Sequence, residues 1–541
     1  MILPETLLKT RQWIISGYVQ GVGFRPFIFR LAHQLKIAGW VRNEIGSVKI
    51  KATATNQVLN EFSQSILSKS PSIAEPIIDS EKEIATEQFN QFKILESKKK
   101  DKPEIHIPPD YFTCPDCVDE LNDPQNHRYR YPFINCTQCG ARYTLIQALP
   151  YDRANTSMHG FKLCKTCNAE YTNPLDRRFH AEPVACAECG PNLSFSLNTN
   201  LVPTLPRRNA SQNEHALKAS IQALNKGQII AVKGIGGYHL MCDATNVQAV
   251  QNLRDRKARP DKPLAILLRE LGKDGLKIIE KYVDINLKEA KKLLSAARPI
   301  VLLQKKSNTD LANNIAPSLN EIGVMLPYSP LHYLLLQDFG KPLIATSGNI
   351  SGEPVIIQND EAKQRLNKIA DVFLDHNRDI VRPADDSVFR MIAGKLRPFR
   401  LGRGSSPLEL ELPIRLKQPV IAVGGHMKNT VALAWDNRIV ISPHIGTLNS
   451  PKSLATFEQT ISDLQNLYQI KATQIICDAH PSYTSSRWAK NYSQQANLSL
   501  SKVFHHHAHA SACYGEFYRQ IKQPCLIFSW DGTGYGEDKT L

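Results

Sequence analysis

The chain has 541 residues, of which 42% are hydrophobic and 22% charged, with 66 Lys and Arg against 51 Asp and Glu. This length predicts about three to five domains, and the composition excludes fibrous and disordered classes. The start MILPETLLKTRQW has no long apolar core or cleavage pattern, and no apolar run approaches the ~20 residues of a membrane helix. A cytoplasmic protein without a membrane partner is expected, its cysteines serving as metal thiolates rather than disulfides.

Residues 1–97 alternate strand-like and helix-like patterns. A strand predicted over 13–19 runs into GVGFRP and then an amphipathic helix over 26–37. Strand, glycine loop and helix start together aim backbone N–H groups at an anion. Gln20, Gly21, Val22, Gly23 and Phe24 form that loop, and Arg25 adds a guanidinium suited to phosphate. GWVRN at 39–43 opens a second strand, followed by alternation through Val48, Ile50 and Ala52. A helix over 57–68 and a closing strand over 91–95 complete βαββαβ, a ferredoxin-like sandwich. GYVQGVGFR with GWVRN resembles the acylphosphatases. The resemblance implies that the loop amides and Arg25 hold the phosphate of an acyl phosphate, and that Asn43 positions the attacking water.

KKKDK at 98–102 reads as a solvated linker. Residues 104–195 then hold two copies of one pattern, offset by 50 residues: Cys114, Cys117, Cys136, Cys139 and Cys164, Cys167, Cys186, Cys189. CPDC matches CKTC, and CTQCG matches CAECG. Two Cys-x-x-Cys pairs supply the four sulfurs of a closed tetrahedral zinc site, so two structural zinc ions are expected. Disulfide-linked loops or redox pairs are the alternative, but redox motifs rarely come as four spaced pairs. Eight thiolates subtract eight charges from the formal +15 and two Zn²⁺ restore four, leaving about +11. Such a balance fits nucleic acid or phosphorylated small molecules equally well.

A polar stretch at 198–213 reads as a linker, and residues 214–405 as mixed α/β. There an apolar strand precedes KGIGGYHLMCDA, and downstream lie RDRKARPDKPLAI and ATSGNISGEP. Arg254, Arg256, Lys257, Arg259 and Lys262 beside an apolar strand suit a polyphosphate. The KxRP and SGN combination resembles the YrdC family, which makes carbamoyl- or threonylcarbamoyl-adenylates from ATP. By position, the resemblance implies ATP contacts at Lys257, Arg259, Ser347 and Asn349. A double-stranded-RNA surface is the competing reading, and the Asp385–Ser387 run is a further candidate lining for the same site.

Residues 415–541 form a last α/β block. IAVGGHMKNTVALAW reads as strand, glycine turn, strand, in the style of actin-like ATPase folds. HHHAH puts His505 and His509 one helical turn apart on one face, a metal-site spacing, with His506 and His507 as outer or core residues. A strand over 524–529 is predicted to end in WDGTGYG, where Asp531 is a hard oxygen ligand. The block resembles the TsaD-like tRNA threonylcarbamoyltransferases, in which two histidines and an aspartate hold a metal that contacts a nucleotide. A further divalent metal at His505, His509 and Asp531 is implied. The second lobe of that fold normally follows this strand, so the actin-like domain is expected to be partial, the sequence truncated at its C-terminus and the last transfer step impaired.

The order acylphosphatase-like, double four-cysteine zinc module, YrdC-like α/β, TsaD-like α/β resembles the hydrogenase maturation carbamoyltransferase family over the whole length. The fold class is therefore multidomain α/β and α+β. The resemblance implies hydrolysis of carbamoyl phosphate, formation of carbamoyl-adenylate from ATP with magnesium, and transfer of the carbamoyl group to the C-terminal cysteine of the partner HypE for cyanide ligand synthesis. Cys242, Cys477, Cys513 and Cys525 are then read as core cysteines. A tRNA-modifying or nucleic-acid-binding zinc protein and a non-catalytic remnant are the alternatives. The acylphosphatase block argues against nucleic acid.

Overall fold

The computed structural model describes residues 8–19, 22–44, 47–71, 73–95, 106–149, 151–198, 210–521, 523–531, 535–538 and 540. Within these residues the strands form three sheets, of five, eleven and six strands.

The first sheet uses β1 (Leu8–Tyr18), β2 (Ala38–Glu44), β3 (Ser47–Thr55), β4 (Glu75–Ile84) and β5 (Phe92–Ile94), ordered β4-β1-β3-β2-β5. Helices α1 (Phe24–Gln34) and α2 (Asn56–Ser68) cover one face. Trp13 and Ile15 on β1 alternate inward with Val48, Ile50 and Ala52 on β3, all fully buried against Ile28 of α1 and Phe62 of α2. Full burial of each large side chain contributes about 1.5–3 kcal/mol. The ferredoxin-like topology holds with one correction. The strand that closes it is β4, antiparallel to β1, whereas the predicted closing strand is β5, added parallel to β2 at the far edge. EPIIDSEKEI alternates too weakly to stand out, because β4 is an edge strand with exposed charges on its outer face.

In the zinc module each quartet starts a short helix, α3 (Pro115–Asn122) and α4 (Lys165–Thr172), directly after its first cysteine. The two copies grip each other reciprocally. Arg128 of the first donates to the Ala185 carbonyl (2.9 Å), Glu170 (2.9 Å) and Cys167 Sγ (3.1 Å) of the second. Fifty residues on, Arg178 donates to the Asn135 carbonyl (3.1 Å) and to Glu120 of the first copy. The sequence repeat is thus a pseudo-twofold interface inside one polypeptide.

The eleven-stranded sheet contains the third block, and its edge strand Leu193–Leu197 pairs antiparallel with Val372–His376. That edge strand begins within the span 104–195 expected of the cysteine block and runs past its end, so the zinc module feeds directly into the next sheet. Of the predicted linker, 199–209 falls outside the described residues, and the helix Ala210–Asn225 starts inside it. The six-stranded sheet, with the helix Pro451–Tyr468 packed on it, forms the fourth block. The zinc module shares a core with the third block through Tyr131, Phe133 and Leu145. With the fourth it shares Ile107, Tyr143 and Ile146. Among the described residues no helix is long and apolar enough to cross a membrane.

Candidate active site

Gly23 caps α1 in the left-handed conformation (φ 73°), and no acidic residue occupies the first turn. Val22 and Phe24 are buried in the core, which leaves backbone N–H groups and Arg25 as the polar offering at the helix start. Gln20 and Gly21 lie outside the described residues. Burial lowers the Arg25 pKa, and among the described residues no carboxylate lies within ion-pair distance of it. Asn43 sits near the end of β2, opposite Val48. Its Oδ1 is buried and, among the described residues, accepts no hydrogen bond. An acceptor left in that state costs about 1–3 kcal/mol, and a water held for reaction would satisfy it. The loop packs on the zinc module: a methyl group at Gly23 would lie 2.6 Å from Thr137 Oγ1.

The two cysteine quartets are assembled as expected. Cys114–Cys136, Cys136–Cys139 and Cys117–Cys139 sulfurs lie 3.7, 3.8 and 3.7 Å apart, and Cys164–Cys186 and Cys186–Cys189 sulfurs 3.7 and 3.8 Å. A tetrahedron with metal–sulfur bonds of about 2.3 Å has edges of about 3.8 Å, so both quartets fit structural zinc. Arg177 donates to Cys117 at 3.0 Å, offsetting thiolate charge as Arg128 does at Cys167.

The third block lines a cleft of about 960 Å³ with Lys257, Arg259, Lys262, Ser347 and Asn349. Lys257 Nζ donates to the carbonyls of Ser347 (2.6 Å) and Asn349 (3.0 Å) and to Asn349 Oδ1 (2.9 Å). Arg259 donates to Thr346 Oγ1 at 3.0 Å. The four residues expected to contact ATP are therefore one constellation, with the lysine organising the SGN loop. Burial, reinforced by Arg259, lowers Lys257 to about 7. Burial, reinforced by Arg254, lowers Arg259 to about 10. Two of the five predicted cations do other work. Arg254 is buried and donates to the carbonyls of Arg259, Pro260, Asn314 and Ile315, shaping the loop. Arg256 pairs with Asp371 at 2.7 Å. Asp385 and Asp386 do line the cleft. Asp386 is occupied by His239 (2.8 Å) and Arg403 (2.9 Å), whereas Ser387 is buried and bonds to the backbone at Arg403 and Gly402.

In the fourth block, His505 and His509 open the helix His505–Phe517. Their Nε2 atoms lie 3.2 and 3.8 Å from Asp531 Oδ2. Asp478 Oδ2 sits 2.7 Å from His505 Nδ1, a carboxylate that fixes the ring and turns Nε2 toward the cluster. The donor set of two imidazoles and one carboxylate fits a divalent transition metal.

Family models match in the same order: acylphosphatase over 11–94, HypF finger over 113–146 and 163–196, a Sua5/YciO/YrdC model described as telomere recombination over 222–402, and HypF Kae1-like domain over 415–516. Carbamoyltransferase HypF of Synechocystis sp. is 44% identical over 537 residues, covering 99% of this chain and 67% of that protein. Its counterpart in Rhodobacter capsulatus is 37% identical, with coverage of 97% and 68%. The chain belongs to the HypF carbamoyltransferase family. Full-length HypF in the phosphate- and nucleotide-bound form superposes with a TM-score of 0.85 at 40% identity, over 99% of this chain and 68% of that one. T. kodakarensis HypF gives 0.86 at 36%, over 98% and 66%. The sequence thus spans about two thirds of the length of these HypF relatives.

Within the HypF fold some predictions need correcting. No strand forms over 524–529, where Leu526 and Phe528 are exposed, as is the adjoining Trp530. An apolar run forms a strand only where a neighbouring edge satisfies its backbone. Gly532, Thr533 and Gly534 lie outside the described residues. Cys242 and Cys477 are buried, but Cys513 and Cys525 are exposed. His507 is exposed and His506 half-buried, and Phe504 lies beside both rings, stacked on His506. Sequence reasoning missed Asp478, whose only local signal is its place at the end of an apolar strand.

Proposed function

We propose that this protein takes carbamoyl phosphate and ATP toward a carbamoyl group delivered to the C-terminal cysteine of HypE, for cyanide ligand synthesis at a nickel–iron hydrogenase centre, in the cytoplasm. In the first block water attacks carbamoyl phosphate, giving carbamate and phosphate. Asn43 Oδ1 orients the water, while Arg25 and the amides at Val22–Phe24 stabilise charge on the phosphoryl oxygens by preorganised electrostatics. In the third block a carbamate oxygen attacks the α-phosphorus of ATP, and pyrophosphate leaves as carbamoyl-adenylate forms. Lys257 holds the SGN loop in place, and Arg259, Ser347 and Asn349 face the phosphates. Magnesium bound with ATP supplies charge neutralisation there. In the fourth block the HypE thiolate takes the carbamoyl carbon and AMP leaves. His505, held by Asp478, would share a divalent metal with His509 and Asp531, and that ion would anchor the adenylate phosphate.

The observation that supports this reading is the joint presence, in one polypeptide, of Arg25 with no carboxylate in ion-pair distance among the described residues, of the buried Asn43 acceptor, and of the Lys257–Asn349 constellation on a large cleft. The test is ATP–pyrophosphate exchange. It is expected to require carbamoyl phosphate and to be lost in Arg25→Ala. Exchange supported instead by threonine and bicarbonate would overturn the reading. A carbamoylated C-terminal cysteine on HypE, detected by mass spectrometry, tests the last step.

A further inference from the structure

We infer that the phosphate site of the third block is completed by two residues of the fourth, Lys428 and His444, which bind the pyrophosphate end of the cleft ligand. The inference rests on the function proposed above.

Both residues line the cleft together with Lys257, Arg259 and Lys262. Main-chain pairing fixes where they start. Asn429 and Gly446 form an antiparallel bridge, with bonds of 2.8 Å from Asn429 N to Gly446 O and 2.9 Å from Ile445 N to Asn429 O. Asn429 is buried, and its Nδ2 donates to the carbonyls of Val423 and Gly425. Lys428 therefore projects from a pinned turn. His444 N bonds to the Leu401 carbonyl at 2.9 Å, which sets it beside Arg400. Arg400 in turn donates to Asp385 Oδ2 at 2.6 Å. Residues from two sheets thus converge on Asp385.

The charge balance points to the ligand. Among the described residues no carboxylate lies within ion-pair distance of Lys257, Arg259, Lys262 or Lys428. The other cleft carboxylates are taken: Asp386 by Arg403, Glu353 by Arg365, Glu361 by Lys452 and Asp463 by Arg382. Asp385, already bonded to Arg400, is left to balance Lys257, Arg259, Lys262 and Lys428 of the same cleft lining. Such an excess in a low-dielectric cleft calls for an anion of several charges, which a diphosphate supplies and a monocarboxylate does not. His444 is lowered to about 4, by burial first, with Asp385 opposing and Arg400, Lys428 and Lys262 adding to it, so its ring offers an N–H donor to an anion in either protonation state.

The same turn has a second neighbour. A methyl group at Gly425 would sit 3.3 Å from His505 Cε1. The turn therefore stands between the cleft and the His505 cluster, and the experiment must separate the two assignments. We would measure carbamoyl phosphate-dependent ATP–pyrophosphate exchange on the 541-residue protein and its Lys428→Met and His444→Asn variants. The KM for pyrophosphate should rise about ten- to a hundredfold for Lys428→Met, with a smaller rise for His444→Asn. An unchanged KM with impaired transfer to HypE would assign Lys428 to the histidine cluster and overturn the inference. Zinc content and thermal midpoint report folding of each variant. Direct calorimetric binding of pyrophosphate, weakened in Lys428→Met or not, gives the same decision without turnover. A parent protein with no exchange at all would sink the functional reading, while the calorimetry would still decide the site.

Discussion

Two residues carry most of the chemistry proposed for the first and third blocks, Asn43 and Lys257. Among the described residues the buried Asn43 Oδ1 has no hydrogen-bond partner, so Asn43→Ala removes an unsatisfied acceptor. Phosphate release from carbamoyl phosphate should fall about a hundredfold or more with no loss in thermal midpoint. A midpoint loss matching the activity loss would make Asn43 structural. Lys257 makes a different case. Its folded pKa of about 7 lies below the ordinary lysine value, so between about pH 7 and 10.5 the unfolded protein binds more protons than the folded one. The depressed lysine therefore destabilises the fold below that window, and stability rises with pH across it. An anion in the cleft reverses the shift. ATP binding at pH 8 should take up a proton and at pH 6 should not, read as a buffer-dependent binding enthalpy at pH 8 only. Lys257 also shows why the motif outperformed the composition. Of five neighbouring cations, Arg254 and Arg256 are spent on loop carbonyls and on Asp371, and one-dimensional charge density cannot separate a loop's own framework from the groups it presents.

At the scale of elements the zinc knuckles behave as one interlocked pair. Arg128 is fully buried and bound to Glu170 and Cys167, and Arg178 repeats the contact with Glu120. Breaking one partner of a buried ion pair costs about 3–5 kcal/mol. Arg128→Met should therefore speed zinc loss to a chromogenic chelator from both quartets, because each arginine grows from a loop that the other metal site orders. Loss of a single equivalent, with the second retained at the parental rate, would show the fingers to be independent. The repeat at an interval of 50 residues was legible in the sequence, and the ligands needed nothing more. The exchange of arginines was not, since Arg128 and Arg178 read as two more surface charges until the pseudo-twofold brings each against the other's cysteine. Elements with a weak pattern were lost in the same way. β4 alternates poorly because an edge strand faces solvent, and the apolar run at 524–529 has no adjacent edge among the described residues to make it a strand.

For the whole molecule, the zinc module is a hub. Thr137 meets the loop at Gly23, and Tyr143 and Ile146 join the core of the fourth block. One side chain ties three blocks together: Arg382 of the third donates to the carbonyls of Tyr143 and Ile146 and to Asp463 of the fourth at 2.7 Å. Arg382→Met should raise hydrogen–deuterium exchange in the helix Pro451–Tyr468 and around 143–146 together. A rise confined to one of them would show that the blocks are held by other contacts.

By itself the sequence determined the four blocks and their order, both cysteine quartets and the meeting of Lys257 with the Ser347–Asn349 loop. These are short motifs whose spacing follows from the geometry of a turn, a knuckle or a loop, so local distance along the backbone suffices to state them. Tertiary structure alone decided which cations face the cleft, that Asp478 orients His505, that Cys513 and Cys525 are exposed, and that Lys428 and His444 meet a site built by another sheet. Those depend on which surfaces pack together. Burial and electrostatics act through space between residues far apart in sequence, and no local spacing encodes them.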